Sequence, residues 1–115
     1  MSQLCVKRET ALKLKQVGFN EACYWYSTEY KAFSFSGKNS DCMPDSVTLP
    51  TYQQTIAWLF EKQCHLHDYW LSDERKWGCD LYSRKGDLIY KADKLFENIE
   101  DAWDIAIAES LKMLD

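Results

Sequence analysis

The sequence predicts an α+β fold: a small, mostly antiparallel sheet with helices packed on one face. Three observations predict it. Apolar residues recur at helical spacing in three separate segments, each opening or closing on a capping signal. Between these lie runs rich in aromatic residues, short enough for strands and set around polar turns. The chain has 115 residues, 46% of them hydrophobic, which is enough for one core and hence for a single domain over residues 1–115.

The first helix is expected over residues 7–17, with Ala11, Leu14 and Val17 at helical spacing beside Leu12. Gly18 is placed to end it, because glycine takes the left-handed conformation without a Cβ clash, and Phe19 would then fold back on Leu14. The aromatic run Ala22 to Tyr26 and the run Tyr30 to Phe35 read as a hairpin turning at Ser27-Thr28-Glu29. From Gly37 to Pro50 the chain carries Gly, Asn, Ser, Asp and both prolines, and reads as the longest loop.

Thr51 and Gln54 form a capping box that opens a helix over about 52–63. Tyr52, Ile56, Leu59 and Phe60 share one face of that helix, and Trp58 falls off the stripe. His65 to Leu71 and Trp77 to Ser83 read as strands, Arg84-Lys85-Gly86-Asp87 as a turn, and Leu88 to Tyr90 as a short third strand. Asn98 is the N-cap of a last helix, whose acids Glu100 and Asp101 suit the positive end of the helix dipole. Ile99, Ala102, Trp103, Ala106, Ile107, Leu111 and Leu114 line its apolar stripe. The predicted order is α-β-β-α-β-β-β-α.

Charge narrows the range of functions. The formal net charge is −4. Residues 1–57 carry six Lys/Arg against five acids, and residues 58–115 carry eight against thirteen. A broad basic surface, the usual source of nucleic-acid affinity, is not available, so nucleic acid is a disfavoured partner. No run approaches the roughly 18 apolar residues of a membrane span, and the opening Met1 to Arg8 turns charged before a signal sequence could form. A cytoplasmic setting is expected, with the five cysteines reduced.

Three segments carry a resemblance. Leu49-Pro50-Thr51-Tyr52-Gln53-Gln54, followed by Ile56 to Lys62, resembles the central segment of short uncharacterised phage and prophage proteins of gut anaerobic bacteria. Leu12 to Cys23 is similar to their opening helix, glycine and strand, and Glu100 to Lys112 to their terminal helix. Where that family usually has aliphatic residues after the central helix, this chain has Cys64-His65-Leu66-His67. The resemblance implies a small accessory protein of a phage or integrated element. It brings no activity, cofactor or functional residue with it.

Candidate chemistry concentrates between residues 64 and 80. His65 and His67 share a face if they lie on a strand, and Cys79 or an aspartate across the hairpin would complete a metal set with Cys64, Asp68 and Asp80 nearby. The spacing is not that of a zinc motif, and two hydrogen-bonded or exposed histidines are the simpler reading. A cysteine nucleophile needs a thiolate beside a base, and none of Cys5, Cys23, Cys42, Cys64 or Cys79 sits in such a signature. The glycines Gly18, Gly37, Gly78 and Gly86 are isolated, so no phosphate loop is present.

Aromatic residues are in excess, with five Trp and seven Tyr. Tyr24, Tyr26, Tyr69, Trp70 and Trp77 on neighbouring strands are candidates for an exposed platform that anchors a protein or stacks bases. Lys31, Arg75, Lys76, Arg84 and Lys85 lie close to these strands. Alternate faces packing against helices account for the same residues without a platform. The expectation is a non-enzymatic binding protein that needs no cofactor. It would engage a host or phage protein, or a second copy of itself, through Tyr69, Trp70 and Trp77. The alternatives are a metal- or cysteine-dependent activity in the 64–80 hairpin, or weak binding of single-stranded nucleic acid.

Overall fold

The structure, a computed structural model, describes residues 5–21, 23–27, 32–38 and 47–114, with the backbone alone over 24–27 and 32–38. The turn residues Thr28 and Glu29, and the candidates Lys31, Cys42 and Pro44, lie outside the described residues, as do the side chains of Tyr24 and Tyr26. The elements run α1 (Arg8–Gln16), β1 (Cys23–Ser27), β2 (Ala32–Lys38), β3 (Val47–Leu49), α2 (Tyr52–Glu61), β4 (His65–Leu71), β5 (Lys76–Tyr82), β6 (Leu88–Tyr90) and α3 (Ile99–Leu114). The α+β class and the expected succession of elements are present, with β3 as an added strand inside the segment read as loop. The strands form two three-stranded antiparallel sheets, ordered β2-β1-β3 and β4-β5-β6. Contacts divide the chain into two compact units, one reaching Thr55 and the other spanning Ile56–Leu114.

In the first unit, α1 packs against β3, with Ala11 and Leu14 buried on the helix and Val47, Thr48 and Leu49 buried on the strand. The helix ends as its sequence predicts. Gly18 has φ +104°, its N–H donates to the Lys15 carbonyl, and the Phe19 N–H donates to the Leu14 carbonyl at 2.9 Å. Phe19 and Leu14 are both buried, as the apolar pair that accompanies such a stop should be. β3 escaped notice because three residues hold too little pattern to register beside two prolines. Its partner explains it: Val47, Thr48 and Leu49 face Ser27, Tyr26 and Trp25 of β1.

Thr51 opens α2 by accepting the Gln54 N–H on its hydroxyl at 3.0 Å. The buried stripe of this helix differs from the predicted one. Tyr52, Thr55, Trp58 and Leu59 are buried, whereas Phe60 is 42% exposed. Thr55 hides a core position behind a polar name: its hydroxyl donates to the Thr51 carbonyl at 2.9 Å, so it enters the core already satisfied. Shifting the stripe toward Thr55 and Trp58 turns Phe60 outward. The helix then closes as α1 does, with the Cys64 N–H donating to the Leu59 carbonyl at 2.9 Å, but here Gln63 takes the positive φ of 75°.

The second unit is a β4–β5–β6 sheet under α3. In the β4–β5 register, Leu66 pairs with Leu81 and Asp68 with Cys79, while His67 pairs with Asp80 and Tyr69 with Gly78. Side chains alternate, so Leu66, Cys79 and Leu81 point to one face and His65, His67, Tyr69, Asp80 and Tyr82 to the other. The first face is the one α3 covers: Leu66, Cys79 and Leu81 are buried together with Ala102, Ala106, Ile107 and Leu111. Asn98 caps α3 by accepting the Asp101 N–H at 2.9 Å, a bond of the kind that contributes about 1 kcal/mol. Ser110 is the second hidden core position, its hydroxyl donating to the Ala106 carbonyl at 2.9 Å. Gly78 has a steric role. A Cβ there would lie 2.5 Å from the Tyr69 ring, so the absent side chain leaves room for that ring to lie across the strand.

Candidate functional site

The β4–β5 hairpin carries the predicted site residues, but the register sorts them onto opposite faces. His65 and His67 share the face away from α3. Cys79 points to the other face and is buried under α3, so it does not meet the histidines. Asp80 does share their face, directly across from His67, but its carboxylate is committed elsewhere. Oδ1 of Asp80 accepts the Ala92 N–H at 2.8 Å and the Tyr69 hydroxyl at 3.3 Å. Among the described residues, no three His, Cys, Asp or Glu side chains are grouped to hold a metal ion.

The described thiols are buried, and in each case burial is the main cause that pushes the thiol upward: Cys5, Cys23, Cys64 and Cys79. Cys79 is the extreme, pushed up to about 12 from an ordinary value of 9.0 by burial and then by the Asp68 and Asp80 carboxylates. A thiol held protonated is a poor nucleophile. The same shift has a consequence for stability. The unfolded chain gives up this proton near pH 9 and the folded chain keeps it until about 12. Folding stability therefore falls as pH rises through that window, by up to about 1.4 kcal/mol per pH unit from this group. Urea melts from pH 8 to 11 should show a shallower decline for Cys79→Ala than for the wild type. Parallel slopes would remove Cys79 as the source.

The aromatic candidates are also divided. Trp70 and Trp77 are cross-strand partners with ring centroids 5.2 Å apart. They lie on the same face as Leu66 and Leu81 but toward the hairpin turn, where Trp70 is 47% exposed and the adjoining Leu71 is exposed too. Trp77 is tied on its other side to Phe96 by a pair of backbone hydrogen bonds of 2.6 and 2.8 Å. Tyr69 points to the opposite face and does not join this pair. Its phenol is held above its ordinary value by burial and then by the Asp80 carboxylate, so it keeps the proton it donates.

A recess that sequence reasoning missed lies on the histidine face, at the end of the hairpin away from the tryptophans. Its volume is about 340 Å³, and its walls include Phe60, His65, His67, Tyr82, Ser83 and Arg84. The Arg84 guanidinium lies 5.1 Å from the centre of the Phe60 ring. The Phe60 and His65 rings meet edge to face at 5.4 Å, and those of His67 and Tyr82 at 6.0 Å. The signal in the sequence was the pair His65 and His67 with Arg84 beyond the next strand. What concealed it was the outward turn of Phe60, which a stripe of apolar residues assigns to the core.

No described helix is long and apolar enough to cross a membrane. Comparison with protein-family models, with curated proteins and with solved structures gives no match.

Proposed function

We propose that this protein works by binding, as a small accessory protein of the phage and prophage kind that its sequence resembles. Its contact surface is the Trp70–Trp77 end of the β4–β5 hairpin, engaging another protein or a second copy of the chain. One observation carries the reading: two cross-strand tryptophans in ring contact, one of them 47% exposed. Tryptophans in this setting offer a large contact area at small cost in side-chain entropy, which is why they dominate the energetics of protein interfaces. Tyr69 is left out of the surface because its hydroxyl and ring are engaged with Asp80 and across Gly78.

A tagged pull-down from bacterial host lysate, with and without nuclease, tests this together with sedimentation over a range of protein concentrations. The wild type should retain a stoichiometric partner or self-associate, and the Trp70→Ser variant should weaken that binding by tenfold or more, at about the level of an interface hot spot. The Trp70 side chain is half-exposed at the end of the hairpin, so the variant should keep its fold. Equal retention by the variant, or a strictly monomeric wild type that captures nothing, overturns the proposal. Retention lost on nuclease treatment would instead place nucleic acid at the surface.

A further inference from the structure

We propose that the recess between Phe60, His65, His67, Tyr82 and Arg84 is a binding site for a small phosphate monoester that carries a flat ring.

The side chains around the recess are of two chemical kinds. Phe60, Tyr82 and the two imidazoles present ring faces and edges, and Arg84, His65 and His67 present N–H donors. Ser83 adds a hydroxyl whose oxygen already accepts the Asp87 N–H at 3.1 Å, so the hydroxyl proton is what it offers outward. Among the described residues no carboxylate lines the recess, in a chain whose net charge is −4. Asp80 is the acid on this strand face, and its Oδ1 accepts from Ala92 and Tyr69, outside the lining.

This donor set selects the ligand's charge. A guanidinium repels a metal cation held by the same histidines, so the imidazoles and Arg84 act together only toward an anion. Neutral imidazole donates one N–H, so each histidine contributes a donor in either protonation state. Several donors from separate side chains suit a phosphate, whose terminal oxygens accept from several directions. The Arg84 guanidinium lies over the Phe60 ring, 5.1 Å from its centre, a cation–π contact that holds the positive charge at the recess. The ring faces then select the rest of the ligand. At about 340 Å³ the recess is at the lower end of the roughly 300–1,000 Å³ typical of small-molecule sites, room for a ring and one charged group.

The site lies on the opposite sheet face from Trp70 and Trp77, so it stands or falls independently of the protein-binding surface. The test is a two-dimensional amide NMR titration of the full chain with phenyl phosphate, uridine 5′-monophosphate, inorganic phosphate and benzyl alcohol. Saturable shifts at His65, His67, Ser83 and Gly86 are expected with the two ring-bearing phosphates. Binding should weaken about tenfold or more in Arg84→Gln, since a charged hydrogen bond is lost. His67→Gln, on an exposed strand position, serves as the second variant and should also weaken it. Equal affinity for inorganic phosphate would overturn the requirement for a ring. Equal affinity for benzyl alcohol, binding insensitive to Arg84→Gln, or no saturable shift at millimolar probe would overturn the site.

Discussion

Replacing Leu81 with alanine should destabilise folding by about 3–4 kcal/mol, a large loss for a single truncation. Leu81 lies on the central strand β5 and has no exposed surface. It faces Leu66 across the hairpin and Tyr90 across β6, and lies on the sheet face covered by α3. The neighbours cannot close the space, because backbone hydrogen bonds fix β5 on both sides and a four-turn helix lies above. The loss is therefore the transfer term for the deleted carbons plus a cavity term. Leu88→Ala removes the same atoms from an edge strand position that is 54% exposed, and should cost less than about 0.5 kcal/mol. Urea unfolding of both variants checks the contrast. Similar losses at the two positions would mean that α3 is not seated on the Leu81 face.

That contrast also marks how far the sequence could be read. The stripe of α3 and the stop at Gly18 are legible because each rests on several residues pointing to one geometry. Leu14, Gly18 and Phe19 jointly specify a helix ending, and the Phe19 N–H and the Leu14 carbonyl complete it. Thr55 and Ser110 were not legible as core, because hydrophobicity counting prices a hydroxyl as though it faced water. Inside a helix the hydroxyl returns its proton to a carbonyl one turn back, and the position then buries at small cost. Tyr52 and Leu59 of the predicted α2 stripe are buried, but Thr55 and Trp58 complete it in place of Phe60, whose assignment to the core concealed the recess.

The candidate residues of the hairpin are sorted by a different property, the period of a strand. Cys64, His65, His67, Cys79 and Asp80 are dense in sequence, and density suggested one centre. A strand sends neighbours to opposite faces, and the register of β4 with β5 decides which of them meet. That register puts Cys79 beneath α3, opposite an Asp68 that stays exposed, and puts His67 with Asp80 on the far face. The same alternation separates Tyr69 from Trp70, dividing one predicted aromatic platform into a tryptophan pair and a ring that lies across Gly78. Nothing in a single chain's composition fixes this register. It is set by the need to bury Leu66 and Leu81 together under the helix.

Asp80→Ala should cost about 2 kcal/mol, which is large for the removal of a polar side chain. Asp80 is only 8% exposed, so desolvation of its side chain already weighs against folding. What offsets that cost is a short charged hydrogen bond from the Ala92 N–H at 2.8 Å, and a longer one from the Tyr69 hydroxyl at 3.3 Å. Alanine removes the desolvation cost but leaves the partly buried Ala92 N–H without its acceptor, and an orphaned donor costs roughly 1–3 kcal/mol. The bond also ties the chain between β6 and α3 to the central strand, so its loss frees that segment as well. Asp80→Asn retains an oxygen for Ala92 and should lose about half as much. Tyr69→Phe gives up only the longer bond and should lose less than about 1 kcal/mol. Hydrogen exchange at the Ala92 amide should accelerate in Asp80→Ala and stay near wild type in Tyr69→Phe. If asparagine proves as damaging as alanine, the negative charge and not the acceptor position is what holds the segment. If all three variants are neutral, Asp80 is not the link between strand and segment that its geometry indicates.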